Sequence, residues 1–386
     1  METNYRKLLD QMITPYDEML QSLIGNHADF SKVDYLEKHS EKYGKSDANY
    51  TNRLKVLLAL YNREDRYAPH YEPIVRRLLV NEIIDRETNS FQGIGDALYY
   101  AVFLLQKYER EQDQILFQQA KEANFDTYAG FDPELILEKY LFSKDAANIE
   151  DCINIASELG EDVYLSLFID LWIKDQTDWN KENLQTLVYH ERWRNHAEGE
   201  IEALKKLTEI EKTEGNHHNY CSTASSLAEK FIEAGRLDEA WETMETIIPL
   251  ITKEEEWFLY GLGRNIITAC IHIIFHFGAE SRQAASLWQT IKEILQPAAK
   301  HMGTDQYQLA VSASKFMGDT KWEQRLRNEA FDSALAVRSP LEAAVQRYIQ
   351  YCLRLQLEPF RSTLLFFQHP VHSFPPLHRI FATNMK

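Results

Sequence analysis

The sequence predicts an all-α protein. Apolar residues recur at three- and four-residue spacing almost from end to end, the mark of helices that each bury one face. Only 14 Gly and 11 Pro interrupt 386 residues, so turns are few and elements long. No run alternates apolar and polar residues with β-branched enrichment and hairpin turn chemistry, so no strand is expected. With 44% hydrophobic residues, among them 7 Trp, 20 Tyr and 19 Phe, the chain has ample apolar surface to bury.

Helix starts are written at Thr14-Pro15 and Asp132-Pro133-Glu134, where proline suits the first helical position. Ser339-Pro340-Leu341-Glu342 adds an acidic residue to the same signal. Stops are marked by Gly25, Gly44, Gly160, Gly235, Gly278 and Gly318, because glycine best supplies the left-handed residue that closes a helix. Roughly 16 to 19 helices fit between these marks, with short polar links that suit antiparallel helix pairs stacked in series. The segment Ala97 to Leu105 (ALYYAVFLL) is apolar on every side and reads as a central, fully buried helix. The connector Asp126 to Asp132 (DTYAGFD) is expected to separate an N-terminal helical bundle, 1–125, from a helical array, 132–368. Residues 369–386 hold Pro370, Pro375 and Pro376 without a helical period and read as a strap or tail; Phe374, Leu377, Ile380 and Phe381 favour the strap.

Charge narrows the partners. The chain carries 59 acidic and 42 basic residues, a net charge of −17, and protonating every histidine would leave it negative. Such a molecule repels phosphate backbones and anionic membranes, so no nucleic acid and no membrane partner is expected, and a basic protein or peptide is favoured. The most apolar stretch, Ile266 to Phe277, contains two histidines and falls short of the roughly 20 apolar residues that span a bilayer. Met1 to Lys7 runs into an amphipathic pattern without the features of a secretion signal. Cys152, Cys221, Cys270 and Cys352 are widely separated, as reduced structural thiols are, and the expected compartment is the cytoplasm.

The second half repeats. Leu227, Ala228, Phe231, Gly235, Ala240, Met244 and Ile247 take the places where a tetratricopeptide repeat (TPR) has its Leu, small residue, aromatic, turn glycine, Ala and two apolar residues. The stretch LAEKFIEAGRLDEAWETMETIIP resembles that family, with Pro249 ending the unit three residues earlier than the family places its proline. Gly235 permits the tight turn, and Ala240 lets the second helix approach the first. The turn glycines Gly235, Gly278 and Gly318 stand 43 and 40 residues apart, so the units are helix pairs lengthened beyond the TPR period of about 34. Trp241, Trp288 and Trp322, one on each second helix, are expected core anchors. The resemblance, carried by 219–335, implies a TPR-like α-solenoid that binds proteins or peptides without a cofactor. A cytosolic scaffold, a peptide-sensing regulator and a toxin-neutralising immunity-type protein all fit that implication.

Tyr260, Arg264, Thr268, His272 and His276 form an i, i+4 row on a helix otherwise made of Trp, Phe, Leu and Ile. A helix buried on three sides exposes one polar stripe, which faces either plain solvent or a groove where partners bind. His272 and His276 could also chelate a metal, yet Cys270 sits on another face and Glu280 lies past the Gly278 turn, so no metal is assigned. Arg63 and His70 have the Arg-to-His spacing of HEPN-type helical ribonucleases, but Pro69 interrupts the helix that would present them. With His272/His276 they carry the alternative of an all-helical metal-dependent hydrolase or nuclease. Gly93-Ile94-Gly95 reads as a helix-start turn, Glu214 to His217 as a loop, and His190, Glu191 and His196 as surface residues. Glu254 to Glu256 read as a solvated helix start, and His369, His372 and His378 as an incidental cluster. No catalytic residue is assigned. Ala240→Trp is expected to lower stability by about 1–3 kcal/mol through overpacking at a close helix contact; an unchanged melting temperature would refute that contact.

Overall fold

Runs of helix formers between the few glycines and prolines fold as helices in the computed structural model, which describes residues 5–25, 27–40, 44–91, 93–135, 141, 148–253, 261–298 and 302–335. The chain divides into two compact units, Met1–Asp178 and Trp179–Lys386.

The first unit contains α1 (Tyr5–Ile13), α2 (Tyr16–Ser22), a hairpin of β1 (Glu37–Ser40) and β2 (Gly44–Asp47), α3 (Tyr50–Asn62), α4 (Glu72–Thr88) and α5 (Asp96–Gln106). It continues through α6 (Gln114–Glu122), α7 (Phe125–Gly130), α8 (Ile149–Glu158) and α9 (Asp162–Asp175). At its centre lies α5, with Ala97, Leu98, Ala101, Val102, Leu104 and Leu105 inaccessible to solvent, as the apolar run predicts. Tyr61 of α3 meets Tyr100 and Phe103 of α5 edge-on, at 5.3 and 5.9 Å between ring centres. Pro15 precedes α2 rather than opening it, and Pro133 opens a single 3₁₀ turn.

The hairpin departs from the all-helical expectation. Its strands pair antiparallel, Glu37 opposite Asp47 and Ser40 opposite Gly44. Their sequences, EKHS and GKSD, are polar on both faces and offer no alternation to read. What holds them is attachment: Ser90 N–H donates to Lys45 O at 2.9 Å, and Lys45 N–H donates to Ser90 Oγ at 2.8 Å. Gly44, expected to stop a helix, instead starts β2 with φ +73° and lies so close to Ser90 that a Cβ would collide with it.

A buried ionic cluster anchors the same hairpin. Arg53 is fully buried, forms an ion pair with Asp47 at 2.5 Å, and donates to Glu82 at 2.5 Å and to Val33 O at 3.1 Å. Asp85 stands 3.8 Å from the same guanidinium and pairs with Arg86. Five charged groups thus share one desolvated site; breaking such a set by removing one partner typically costs about 3–5 kcal/mol.

The connector 126–132 lies inside the first unit, mostly as α7. Asn124 caps that helix by accepting from Thr127 N–H while Thr127 Oγ1 accepts from Asn124 N–H. Tyrosine–carboxylate bonds join the earliest helices to α8 and α9: Tyr16 donates to Glu161 at 2.6 Å, Tyr50 to Glu158 at 2.7 Å, and Tyr5 to Asp175. Lys55 adds an ion pair to Glu161 at 2.7 Å.

The second unit is a run of helices: α10 (Lys181–Trp193), α11 (Ala197–Glu214), α12 (His217–Glu233), α13 (Leu237–Ile251), α14 (Gly261–Phe277), α15 (Arg282–Ala298), α16 (Thr304–Phe316) and α17 (Thr320–Leu335). Helices pack in pairs, α10 on α11, α12 on α13, α14 on α15 and α16 on α17, and α14 also packs against α12 and α16. In each pair a left-handed residue turns the chain: Asn195 (φ +55°), Gly235 (+73°), Gly278 (+81°) and Gly318 (+68°). At three of these turns the following amide reaches back to the same carbonyl, as in His196 N–H to Glu191 O, Arg236 N–H to Phe231 O and Asp319 N–H to Ser314 O, at 2.8 to 2.9 Å. Leu227, Ala228, Phe231, Ala240, Met244 and Ile247 are all buried between α12, α13 and their neighbours. Trp288 is buried and donates to Asp319 at 3.1 Å, whereas Trp241 and Trp322 are only half-buried. Pro249 does not end its unit but lies inside the last turn of α13. The expected starts and tail features beyond residue 335 lie outside the described residues.

Burial raises the Glu82 carboxyl above the usual carboxylate range; Asp85 adds to the rise, while Arg53 and Arg86 oppose it. A raised carboxyl binds its proton more tightly in the folded state, so its contribution favours folding at low pH and is lost as pH climbs through the folded value. Glu82→Gln is therefore expected to gain stability relative to wild type as pH rises from about 4.5; urea midpoints of both proteins across that range check the sign.

Candidate functional site

The polar row sits on α14. This helix contains no Asp, Glu or Pro, and its Ile266, Ile267, Ile271, Ile273 and Ile274 are buried with Gly263, Ala269 and Cys270. Four helices, α12, α13, α15 and α16, pack against it and, among the described residues, leave its exposed positions on one stripe. That stripe contains Arg264 and Thr268, both half-buried, and the exposed His272 and His276. Thr268 Oγ1 donates back to Arg264 O at 3.0 Å, so its hydroxyl is engaged within the helix. Tyr260, the first residue of the expected row, lies outside the described residues.

The flanking helices also carry exposed residues. Ser222 and Glu233 of α12 are exposed, as are Ser312, Lys315 and Phe316 of α16. Phe275 and Phe316 stack edge to face across α14 and α16, 5.2 Å between centres with planes at 88°. Phe316 keeps 40% of its surface exposed. Neither phenylalanine nor Lys315 belongs to the i, i+4 row, and the row alone could not point to them; only the packing of α16 beside α14 brings them in.

The other candidates fall elsewhere. Cys270 is fully buried away from the stripe, and burial pushes its thiol up to about 12. Glu280 is exposed beyond the Gly278 turn. Among the described residues no group of three or more His, Cys, Asp or Glu side chains is placed to hold a metal ion. Arg63 ends α3 and pairs with Asp65 at 2.7 Å and Asp17 at 3.4 Å, while His70 lies in a 3₁₀ turn with its ring against Tyr71. Gly95 precedes α5 with φ +76°, as a helix-start turn requires. Glu214 ends α11 and His217 opens α12 behind the Asn216 cap, so the turn between them is only Gly215 and Asn216.

His190 and Glu191 are not surface residues. Both are 2% exposed, and only His196 of the three is open to solvent. Glu191 accepts from Arg194 at 2.5 Å and faces His196 Nδ1 at 2.6 Å, closing the α10–α11 turn. Gly199 presses on this carboxylate, where a Cβ would collide. A glycine inside a helical pattern was the available signal of that close approach. Glu200, also buried, bridges Arg192 of α10 at 2.7 Å and Lys230 of α12 at 3.3 Å. These groups hold helices together.

Compared with known proteins, the chain matches no family model, no curated protein and no solved structure.

Arg264 has no carboxylate partner among the described residues, unlike Arg192, Arg236, Arg325 and Arg327 of the same unit. Arg264→Glu is expected to leave the melting curve within the ~0.5 kcal/mol typical of surface changes. A large loss of stability would make Arg264 a packing residue instead.

Proposed function

We propose that the second unit is a TPR-like helical-repeat module that binds a protein or peptide in the cytosol and carries no chemistry of its own. The observation that carries this reading is the packing of α14 against both α12 and α16, while each of the three packs on its own second helix. First helices set side by side and second helices behind them are the arrangement by which helix-pair repeats present one continuous face to a ligand. Exposed or half-buried on these three helices are Ser222, Arg264, Thr268, His272, His276, Ser312 and Lys315. Hydroxyl, imidazole and guanidinium groups of this kind suit an extended polypeptide, whose backbone needs both donors and acceptors. Cys152, Cys221 and Cys270, all buried and outside any disulfide, fit a reducing compartment.

The second helices have a different surface. The exposed charged residues of α13 are Asp238, Glu242 and Glu245. This side carries part of the net charge of −17 and would speed encounter with a basic partner without holding it.

The reading is tested by placing a photo-crosslinking residue in turn at Ser222, Thr268 and Ser312 on the first helices, and at Glu245 and Gln289 on the second. Irradiation in source cells is expected to trap one common partner from the first three positions and not from the last two. Equal trapping from both sides, or trapping from α13 and α15 alone, would overturn it.

A further inference from the structure

Charge is distributed unevenly within the second unit. Between 261 and 277, α14 has Arg264, His272 and His276 and no acidic residue at all, in a chain whose net charge is −17. Lys315 is the exposed charged residue on the neighbouring turn of α16. Several cations of the other helices are neutralised in place: Lys181 pairs with Glu211 and Glu214, Lys230 with Glu200 and Glu233, and Arg236 with Glu198 and Glu239. Arg264 and Lys315 have no such partner among the described residues. On the α12 side, Glu229 and Glu233 give the patch an acidic edge, so its cationic character lies toward α16.

The same patch has an apolar centre. Phe275 and Phe316 meet edge to face between α14 and α16, and Phe316 remains 40% exposed. Phe316 thus offers an exposed aromatic ring next to the exposed Lys315 in sequence, an apolar contact beside a cation.

We infer that the face formed by α14 and α16 docks an acidic segment of a partner protein, an inference that rests on the binding-module reading above. Arg264 and Lys315 receive carboxylates, the exposed ring of Phe316 takes an apolar side chain, and His272 and His276 offer hydrogen bonds along the row. A basic segment would bring its cations against Arg264 and Lys315 and would be repelled. The partner's acidic segment is thus selected by a local field whose sign opposes that of the whole molecule. The rest of the partner's charge sets the speed of encounter, and short-range pairing of its acidic segment slows release.

The test is selection from a displayed library of random peptides of about twelve residues, long enough to cross two helices, against the intact chain. Four proteins are compared: wild type, the double variant Arg264→Glu/Lys315→Glu, the single variant Lys315→Ser, and Glu245→Lys on α13 as a control for net charge alone. The expected result is enrichment of peptides with net negative charge and at least one large apolar residue. A labelled peptide from that pool should lose about tenfold or more in affinity with the double variant, equivalent to about 1.4 kcal/mol, less with Lys315→Ser, and nothing with Glu245→Lys. Melting curves show that each variant is folded; should the double variant fail to fold, the exposed Lys315→Ser alone carries the comparison. Enrichment of basic or neutral peptides, or an affinity unmoved by the Arg264 and Lys315 changes, would overturn the inference and leave the binding-module reading standing. Failure of any peptide to enrich would remove the inference and count against the module as a peptide binder.

Discussion

The second unit depends on one backbone constraint, a residue in left-handed conformation between the two helices of each pair. Without it the first helix would continue, or leave at another angle, and its partner could not fold back onto the same apolar stripe. The conformation costs ordinary residues roughly 1–2 kcal/mol and glycine almost nothing, so glycine fills three of the four positions. Asn195 fills the fourth, where asparagine is the side chain that best tolerates the geometry. Gly160 makes the same turn between α8 and α9, with Glu161 N–H reaching back to Ala156 O at 2.9 Å. The exposed stripe on α14 follows from this: once the turns fix which helices stand side by side, burial on the remaining sides leaves a single row for solvent or a ligand.

The first unit is organised around charge. Arg53 draws Asp47 of the hairpin, Glu82 and Asp85 of α4 and the carbonyl of Val33 into one buried site. Replacing such a cluster by apolar residues often costs little, whereas removing one member leaves the rest uncompensated. The hairpin has almost no apolar surface of its own, so ionic and hydrogen-bonded attachments stand in for a core at that point.

Legibility in the sequence followed the range of the interaction. The apolar run Ala97 to Leu105 and the glycines at 160, 235, 278 and 318 act through their own residues and close neighbours, and structure follows them directly. The turn at Asn195 escaped notice because asparagine has many uses besides a left-handed turn, so the α10–α11 pair did not join the series Gly235, Gly278, Gly318. The hairpin escaped because its strands are polar throughout and their partners, Ser90 and Arg53, lie far along the chain or in another element. His190 and Glu191 look like surface residues in a list of letters; what buries them is Arg194, His196 and the bare backbone of Gly199. Of the candidate site, the row on α14 could be drawn on a helical wheel, but Phe316 and Lys315 become part of it only through packing between helices.

The three buried cysteines are distributed along the chain in a useful way. Cys152 lies in α8 of the first unit, and Cys221 and Cys270 lie in α12 and α14 of the second, each completely shielded from solvent. Burial pushes the Cys152 and Cys270 thiols up to about 12, far from the thiolate that reacts with an alkylating reagent. Modification at either position must therefore wait for the surrounding helices to separate. The chain carries its own clock for local opening, one in each unit, and the rates at which these sulfurs become reactive rank how readily each unit opens around its cysteine.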